Sequence, residues 1–227
     1  MKKTITLFGI VLATILVANA QSSETRNLDN FDEIKVSQSI SVKLIKGSSN
    51  TAQIETRGVD TERVETEIEG STLYIRMKRG NYFSSNVSID LTYKSEIKAI
   101  AVSSSGEIVG LDEIASENFD IRASSSGRAE LNLNVRNLDV QVSSSGQVDL
   151  TGKAKFQDVE ISSSGRLSAF DMDSEEAEVR VSSSGKAEIK VHSIIEGKAS
   201  SSGRVYYKGN PDKVYVDTSS SGKIRKY

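Results

Sequence analysis

The chain has 227 residues, one histidine, no cysteine and a formal net charge of −2 at pH 7. The lack of cysteine excludes disulfides, zinc–thiolate sites and cysteine nucleophiles. A slightly acidic chain in which only 6% of residues are aromatic has no basic, aromatic stripe of the kind that binds nucleic acid, so no nucleic-acid partner is expected.

The first twenty residues have the three parts of a secretory signal peptide. Met1-Lys2-Lys3 is a basic start, Ile5–Val17 is a short apolar stretch, and Ala18-Asn19-Ala20 fits the small-residue cleavage rule. We therefore predict a signal peptide at 1–20 and a short N-terminal segment at 21–28. No later segment is apolar enough to span a membrane. The expected product is exported to the periplasm, the cell surface or the medium, with no membrane span after cleavage.

Residues 29–99 predict short strands with an irregular arrangement. Phe31, Ile34 and Val36, and then Ile40, Val42 and Leu44, alternate with polar residues. Val64–Ile68 and Leu73–Met77 flank Glu69-Gly70 as a hairpin does, and Asn86–Tyr93 alternates again. We interpret this region as irregular opening coils that cap one end of the repeat array that follows.

The tetrapeptide Ser-Ser-Ser-Gly then occurs seven times. Its glycines are separated by 21, 19, 19, 20, 18 and 19 residues and are Gly106, Gly127, Gly146, Gly165, Gly185, Gly203 and Gly222. A period near 20 indicates one supersecondary unit stacked on copies of itself.

Around each glycine the side chains alternate between apolar and polar. The residues six and four before it and two after it are mainly Val, Ile, Leu or Ala, as in Val140, Val142 and Val148. A period of two that is rich in β-branched residues predicts strands with one buried face. Left-handed hexapeptide helices need uniform turns of about 18 residues, so the uneven coil lengths favour a right-handed helix. We predict an all-β, single-stranded right-handed β-helix (β-solenoid) with coils of about 20 residues, regular over 100–227.

The repeated serines suggest structure and not catalysis. A serine nucleophile needs one base and one set of oxyanion donors placed around a single serine, whereas these serines recur on every coil and His192 is the only histidine. We expect stacked hydroxyls to hydrogen-bond along the array, and the glycine to supply a positive φ or a close backbone approach. No catalytic residue, cofactor site or metal site is assigned.

Charged residues form outward columns on successive coils. Seven positions before the glycine stand Asp120, Asp139, Asp158, Glu178 and Glu196; one position after it stand Arg128, Gln147, Arg166, Lys186, Arg204 and Lys223. These columns are compatible with a cation-binding acidic ladder and an anion-binding basic edge, and also with a solvated surface whose charge is softened by neighbouring opposite charges. The solvated surface is favoured, because calcium sites need patterns such as Asp-x-Asp-x-Asp, which are missing.

Tyrosines concentrate near the C-terminus. The alternation turns Tyr206 and Tyr215 outward on late coils. Exposed aromatic rings beside polar groups suit sugar stacking or a protein partner, and they equally suit a role in covering the last coil. Tyr206 and Tyr215 are the candidate ligand-binding residues.

Several segments together resemble a known family. They are Asn30–Val36, Ser39–Leu44, Glu69–Leu73, the Ser-Ser-Ser-Gly coils and Tyr207–Pro211. In order and spacing they resemble the putative auto-transporter adhesin head GIN domain family of Gram-negative bacteria. The resemblance implies a GIN-like domain over 29–227, a right-handed β-helical fold, adhesin-like behaviour and no established enzymatic activity.

Three function classes remain open from the sequence. The leading one is an exported, non-enzymatic protein of the cell envelope that binds a surface glycan or protein or serves as a structural component. The second is a β-helical polysaccharide lyase or hydrolase, which would need a singular acidic and basic cluster and a groove-forming insertion. The third is an ice-binding solenoid. Charged residues on the last coil discourage open-ended stacking, so we expect a monomer or a small closed oligomer.

Overall fold

A computed structural model describes residues 21–80 and 85–227; the predicted signal peptide lies outside this part of the chain. The described residues form sixteen strands and a single 3-10 turn at Thr61–Arg63. The strands are β1 (Gln21–Asn27), β2 (Glu33–Val36), β3 (Ile40–Lys46), β4 (Thr51–Arg57), β5 (Val64–Glu69), β6 (Thr72–Met77), β7 (Asn86–Tyr93), β8 (Ala99–Val102), β9 (Glu107–Ala123), β10 (Arg128–Val142), β11 (Gln147–Ile161), β12 (Arg166–Val181), β13 (Lys186–Ala199), β14 (Arg204–Lys208), β15 (Lys213–Thr218) and β16 (Lys223–Lys226).

The strands stack as a β-solenoid of about seven turns with about 19 residues each. The segments before each Ser-Ser-Ser-Gly corner form the pre-corner stack, which runs β5–β6–β2–β8, then the C-terminal halves of β9 to β13, then β15. The segments after the corner form the post-corner stack, which runs β1–β4–β7–β3, then the N-terminal halves of β9 to β13, then β14 and β16. The regular coils pair in parallel, and the antiparallel pairs of the described chain are β1–β4, β4–β7 and β5–β6. The predicted β-solenoid is confirmed.

The predicted inward residues form one aliphatic core. Val140, Val159 and Val179 occupy the same position on three successive coils, and each is 0% exposed. Burying each such side chain is worth about 1.5–3 kcal/mol relative to leaving it in water. The amide of Gln157 is an exception, because it is fully buried without a hydrogen-bond partner and so carries a desolvation cost.

The segments between corners, such as 132–137 and 171–176, continue as strand, although their sequence predicts a looser return. Each of β9 to β13 runs without interruption for 14–17 residues. The 19-residue coils of β10 and β11 pair without a register shift. Coils of unequal length pair with shifts, for example between Glu130 and Asn132. The extra residues are therefore absorbed as β-bulges while the ladder of backbone hydrogen bonds persists.

Each Ser-Ser-Ser-Gly corner is a tight turn whose unusual backbone lies at the serines. In the second corner, Ser125 and Ser126 have φ of 47° and 63°, and the amide of Gly127 donates to the carbonyl of Ser124. Positive φ at both central residues is typical of a type I′ turn. The corner glycines do not have positive φ, so that part of the glycine prediction is wrong. The alternative, close backbone approach, is confirmed: a Cβ on Gly127 would lie 2.4 Å from the carbonyl oxygen of Val102.

An eighth corner precedes the seven found in the sequence. Gln38 and Ser39 have φ of 63° and 58°, and the amide of Ser39 donates to the carbonyl of Ser104 in the next corner. Ile40 takes the glycine position. A Cβ is tolerated there because this corner begins the stack, whereas a Cβ on most later corner glycines, such as Gly127, Gly146 and Gly222, would meet the backbone of the coil before it.

The first end of the solenoid is closed by a polar clamp. The Arg26 guanidinium donates to both carboxylate oxygens of Glu24, at 2.8 Å each, and to the carbonyls of Thr61 and Val64. Arg26 thereby ties β1, in the post-corner stack, to the 3-10 turn and β5, in the pre-corner stack. The hydrogen bonds from Arg26 lower the pKa of Glu24 from 4.5 to about 2.

This clamp predicts an acid-sensitive contribution to stability. The folded-state pKa of Glu24 lies below its ordinary value, so its contribution is fully present above about pH 4.5 and is lost as the pH falls toward about 2. Thermal midpoints of the wild type should therefore fall more steeply with acidification than those of Glu24→Gln. Glu62→Gln, an exposed acid at the same end, is the control and should follow the wild type. Parallel curves for the wild type and Glu24→Gln would contradict the clamp's role.

Candidate functional site

A groove crosses the outer surface of the post-corner stack near its first end. Its volume is about 330 Å³, and it spans four neighbouring strands, β4, β7, β3 and β9. The small side chains of Ser41 and Ser88 pair across the middle, while the longer Glu55 and Glu107 stand at the two sides. A row with short side chains at its centre and long ones at its edges leaves a depression in the sheet surface.

A second row of side chains lies beside the first. Gln53, Asp90 and Lys43 are neighbours on β4, β7 and β3. Within 21–80 and 85–227, the side chains of Lys43, Gln53, Glu55 and Asp90 make no hydrogen bond or ion pair with protein, and all four are exposed. Among the described residues, the one hydrogen bond between side chains that line the groove is from the Ser41 hydroxyl to the Glu107 carboxylate, at 3.2 Å.

The groove can therefore offer several hydrogen-bonding groups to a ligand. Lys43 and the Gln53 amide supply donors, and the carboxylates of Glu55 and Asp90 supply acceptors. The described residues contain no group of three or more His, Cys, Asp or Glu side chains placed to hold a metal ion. The arrangement suits a polar ligand rich in hydroxyls. Sequence reasoning missed this site because its residues are far apart along the chain, and only the pairing register brings them together.

The corner serines form a ladder through their backbone and not through their hydroxyls. The amide of the third serine donates to the carbonyl of the second serine on the next coil, as from Ser126 to Ser144 at 3.1 Å and from Ser145 to Ser163 at 3.0 Å. No corner-serine hydroxyl in the described chain hydrogen-bonds to another side chain, so the expected hydroxyl ladder is wrong. The second and third serines of each corner are exposed.

The acidic column has the predicted register. Asp120, Asp139, Asp158, Glu178 and Glu196 are successive partners in the pre-corner stack. Burial, together with the neighbouring Asp120 and Asp158, raises the pKa of Asp139. Arg180 contacts Asp158 and Glu178, and Arg122 contacts Asp120. These ion pairs favour the solvated-surface interpretation over a cation site.

The basic column is softened in the same way at two of its five cations. Arg128 pairs with Asp149 at 3.2 Å, and Lys186 pairs with Glu188 at 2.6 Å. Surface pairs of this kind contribute little to stability, but they reduce the local positive charge. An anion-binding edge is accordingly disfavoured.

His192 faces an acid and not a serine. Its Nε2 lies 3.0 Å from Oδ1 of Asp173, and the side chain of His192 is exposed. Lys190 also contacts Asp173, and the hydrogen bonds from Lys190 and then His192 lower the pKa of that carboxyl. The arrangement is a surface charge network, with no serine positioned by the histidine.

The two candidate tyrosines lie in different stacks. Tyr206 is on β14 in the post-corner stack, half-buried, with the Lys186 ammonium 5.5 Å from its ring centre. Tyr215 is on β15 in the pre-corner stack and is 57% exposed. Two other residues, Phe170 and Tyr227, form an aromatic pair near this end, and their ring centres are 5.1 Å apart. Tyr206 and Tyr215 therefore do not converge on one ligand site.

Comparison with known proteins gives a family and a set of similar folds. The family model for the putative auto-transporter adhesin, head GIN domain, matches residues 30–211. A putative adhesin from Bacteroides fragilis superposes with a TM-score of 0.79 at 16% identity, covering 92% of this chain and 98% of that one. A putative lipid binding protein from Parabacteroides distasonis gives 0.73 at 22% identity, covering 91% and 96%. A putative adhesin from Parabacteroides merdae gives 0.74 at 16% identity, with the same coverage.

At these identities the structural likeness establishes the fold alone. No curated protein is significantly similar in sequence. No helix in the described ranges is long and apolar enough to cross a membrane.

Proposed function

The chain belongs to the putative auto-transporter adhesin head GIN domain family, and from that membership we propose that it is an exported, non-enzymatic binding protein. Its ligand is a hydroxyl-rich surface glycan, held in the groove on the post-corner stack. The names given to the family and to the similar structures from Bacteroides fragilis and Parabacteroides merdae are consistent with adhesion.

One observation carries the proposal. The groove gathers four exposed polar side chains, Lys43, Gln53, Glu55 and Asp90, that have no protein partner in the described residues. On the charged columns, by contrast, ion pairs engage Asp120, Asp158, Glu178, Arg128 and Lys186. Unengaged donors and acceptors in a concave site can exchange water for ligand hydroxyls without first breaking an internal contact.

The alternatives have less support. A lyase or hydrolase needs a singular catalytic cluster, and the repeats instead place similar side chains on every coil. Ice binding would use the exposed serines, but these occupy a narrow turn of two residues per coil. A lipid ligand, as in the name of the Parabacteroides distasonis protein, would need an apolar cavity, whereas seven of the ten residues that line this groove are polar or charged.

The test is glycan-array screening of the purified protein, followed by titration of any glycan that binds. Asp90→Ala, which removes a central acceptor, should weaken binding on the order of tenfold, since hydrogen bonds to a charged group contribute about 1.5–3 kcal/mol. Glu160→Ala, an exposed acid far along the pre-corner stack, is the matched control and should bind as the wild type does.

Other outcomes would redirect the assignment. Loss of binding in Tyr206→Ala or Tyr215→Ala, with Asp90→Ala unaffected, would move the site to the late coils. Activity in a polysaccharide lyase assay, or thermal hysteresis, would replace the proposed function by one of the other two classes. Fractionation of the producing cells tests export.

A further inference from the structure

The exposed apolar side chains concentrate at the last coil. Among the described residues, four of the five exposed large hydrophobic residues lie after position 213, and three of them are consecutive on β15. Val214, Tyr215 and Val216 are 44%, 57% and 51% exposed. The side chains of Val214 and Val216 lie on the core side of the sheet, because their partners on β13 are the buried Ile195 and Gly197. Within 21–80 and 85–227, no further strand covers the core column beyond β15.

β15 also has a free backbone edge. Within the described chain it pairs only with β13. The amide of Ser219 donates to the carbonyl of Ala199 at 3.0 Å. Backbone direction alternates along a strand, so odd-numbered residues of β15 direct their N–H and C=O groups to β13. The N–H and C=O groups of Val214 and Val216 point to the free edge.

The sequence of β15 is complementary to itself in the antiparallel direction. Lys213-Val214-Tyr215-Val216-Asp217 has a tyrosine at its centre, a valine on each side and opposite charges at its ends. When two copies pair antiparallel about Tyr215, Lys213 of each faces Asp217 of the other, and Val214 faces Val216. The free backbone groups of Val214 and Val216 then meet as hydrogen-bonded pairs, and the two tyrosines form the close, non-hydrogen-bonded pair at the centre.

We propose that the protein forms a twofold-symmetric dimer in which β15 of one protomer pairs antiparallel with β15 of its partner, centred on Tyr215. The contact is isologous, so it closes at two copies and does not propagate into fibres. An alternative dimer in which β16 pairs with β16 is not expected. It would bring Lys223, Arg225 and Lys226 of the two copies together as like charges. The groove lies at the other end of the stack, and the dimer leaves both grooves open, which permits bivalent binding.

The cysteine-free chain allows a direct test of the register. Tyr215→Cys should form an intermolecular disulfide in a glutathione redox buffer, because the Cα atoms of a non-hydrogen-bonded antiparallel pair lie about 4.5 Å apart. Glu196→Cys is the matched control. It stands in the same outward column one coil further in, beyond disulfide reach of its copy, and should stay unlinked. Equal cross-linking of the two variants would overturn the proposed register.

A charge exchange tests the pairing in solution by sedimentation velocity over a concentration series. Each of Lys213→Asp and Asp217→Lys places like charges at both ends of the contact and should weaken dimerisation roughly tenfold. An equimolar mixture of the two variants restores opposite charges and should dimerise as the wild type does, as should the double variant.

Both positions are exposed, so these variants should keep the wild-type circular dichroism spectrum and report on association alone. A wild type that stays monomeric at every concentration, or that forms species larger than dimers, overturns the proposal. So does a wild-type dimer that the single charge reversals leave intact, or one that the mixture fails to restore.

Discussion

Gly146→Ala should destabilise the solenoid by about 3 kcal/mol, which is a large effect for one methyl group. A Cβ on Gly146 would lie 2.4 Å from the carbonyl oxygen of Ala123 and 2.6 Å from its carbonyl carbon. These are backbone atoms of the preceding coil, and they cannot move aside as a side chain can. Relief requires the coils to separate, which stretches the hydrogen bond from the amide of Ser143 to Ala123.

Gly106→Ala provides the matched control in the same motif. Its nearest contacts would be at 3.1–3.2 Å, one of them with a Val36 methyl group, so about 1 kcal/mol or less is expected. Urea unfolding followed by circular dichroism measures both. Because coils of a solenoid can unfold locally, hydrogen exchange at neighbouring coils should locate the damage. Equal losses in the two variants would show that the glycine has a role other than close backbone approach.

Val159→Asp should cost about 3–5 kcal/mol and unfold the coils on both sides. Val159 is 0% exposed and lies between Val140 and Val179, which are also fully buried. A carboxylate there would have no partner and would lose its hydration. Protonation of this carboxyl group would remove the buried charge, but it also carries a free-energy cost at neutral pH.

The adjacent residue is the control for this substitution. Glu160 is exposed on the outward face of the same strand, and Glu160→Ala should shift the thermal midpoint little. Thermal unfolding followed by circular dichroism compares the two. If they lowered the midpoint equally, the assignment of inward and outward positions along β11 would be wrong.

The sequence predicted the repeat and the buried face well, because both depend on local pattern. The period near 20 identified stacked coils, and the alternation around each glycine identified Val140, Val159 and Val179 as inward. The hairpin of β5 and β6 was also visible, since its turn and its alternation lie within a few residues. The polar strand β1 was not predicted: Gln21–Asn27 has no apolar alternation, and β1 forms by pairing with β4.

The amino-acid sequence by itself determined the solenoid class, the seven corners and the core positions, because each follows from spacing and from the period of two along a strand. Only the tertiary structure decided that the positive φ lies at serines such as Ser125 and Ser126, since hydrogen bonds between coils hold that backbone. It also decided the groove, where pairing register brings Gln53, Asp90 and Lys43 together, and the free edge of β15. Such features depend on which strands become neighbours, and no local pattern in the chain encodes that.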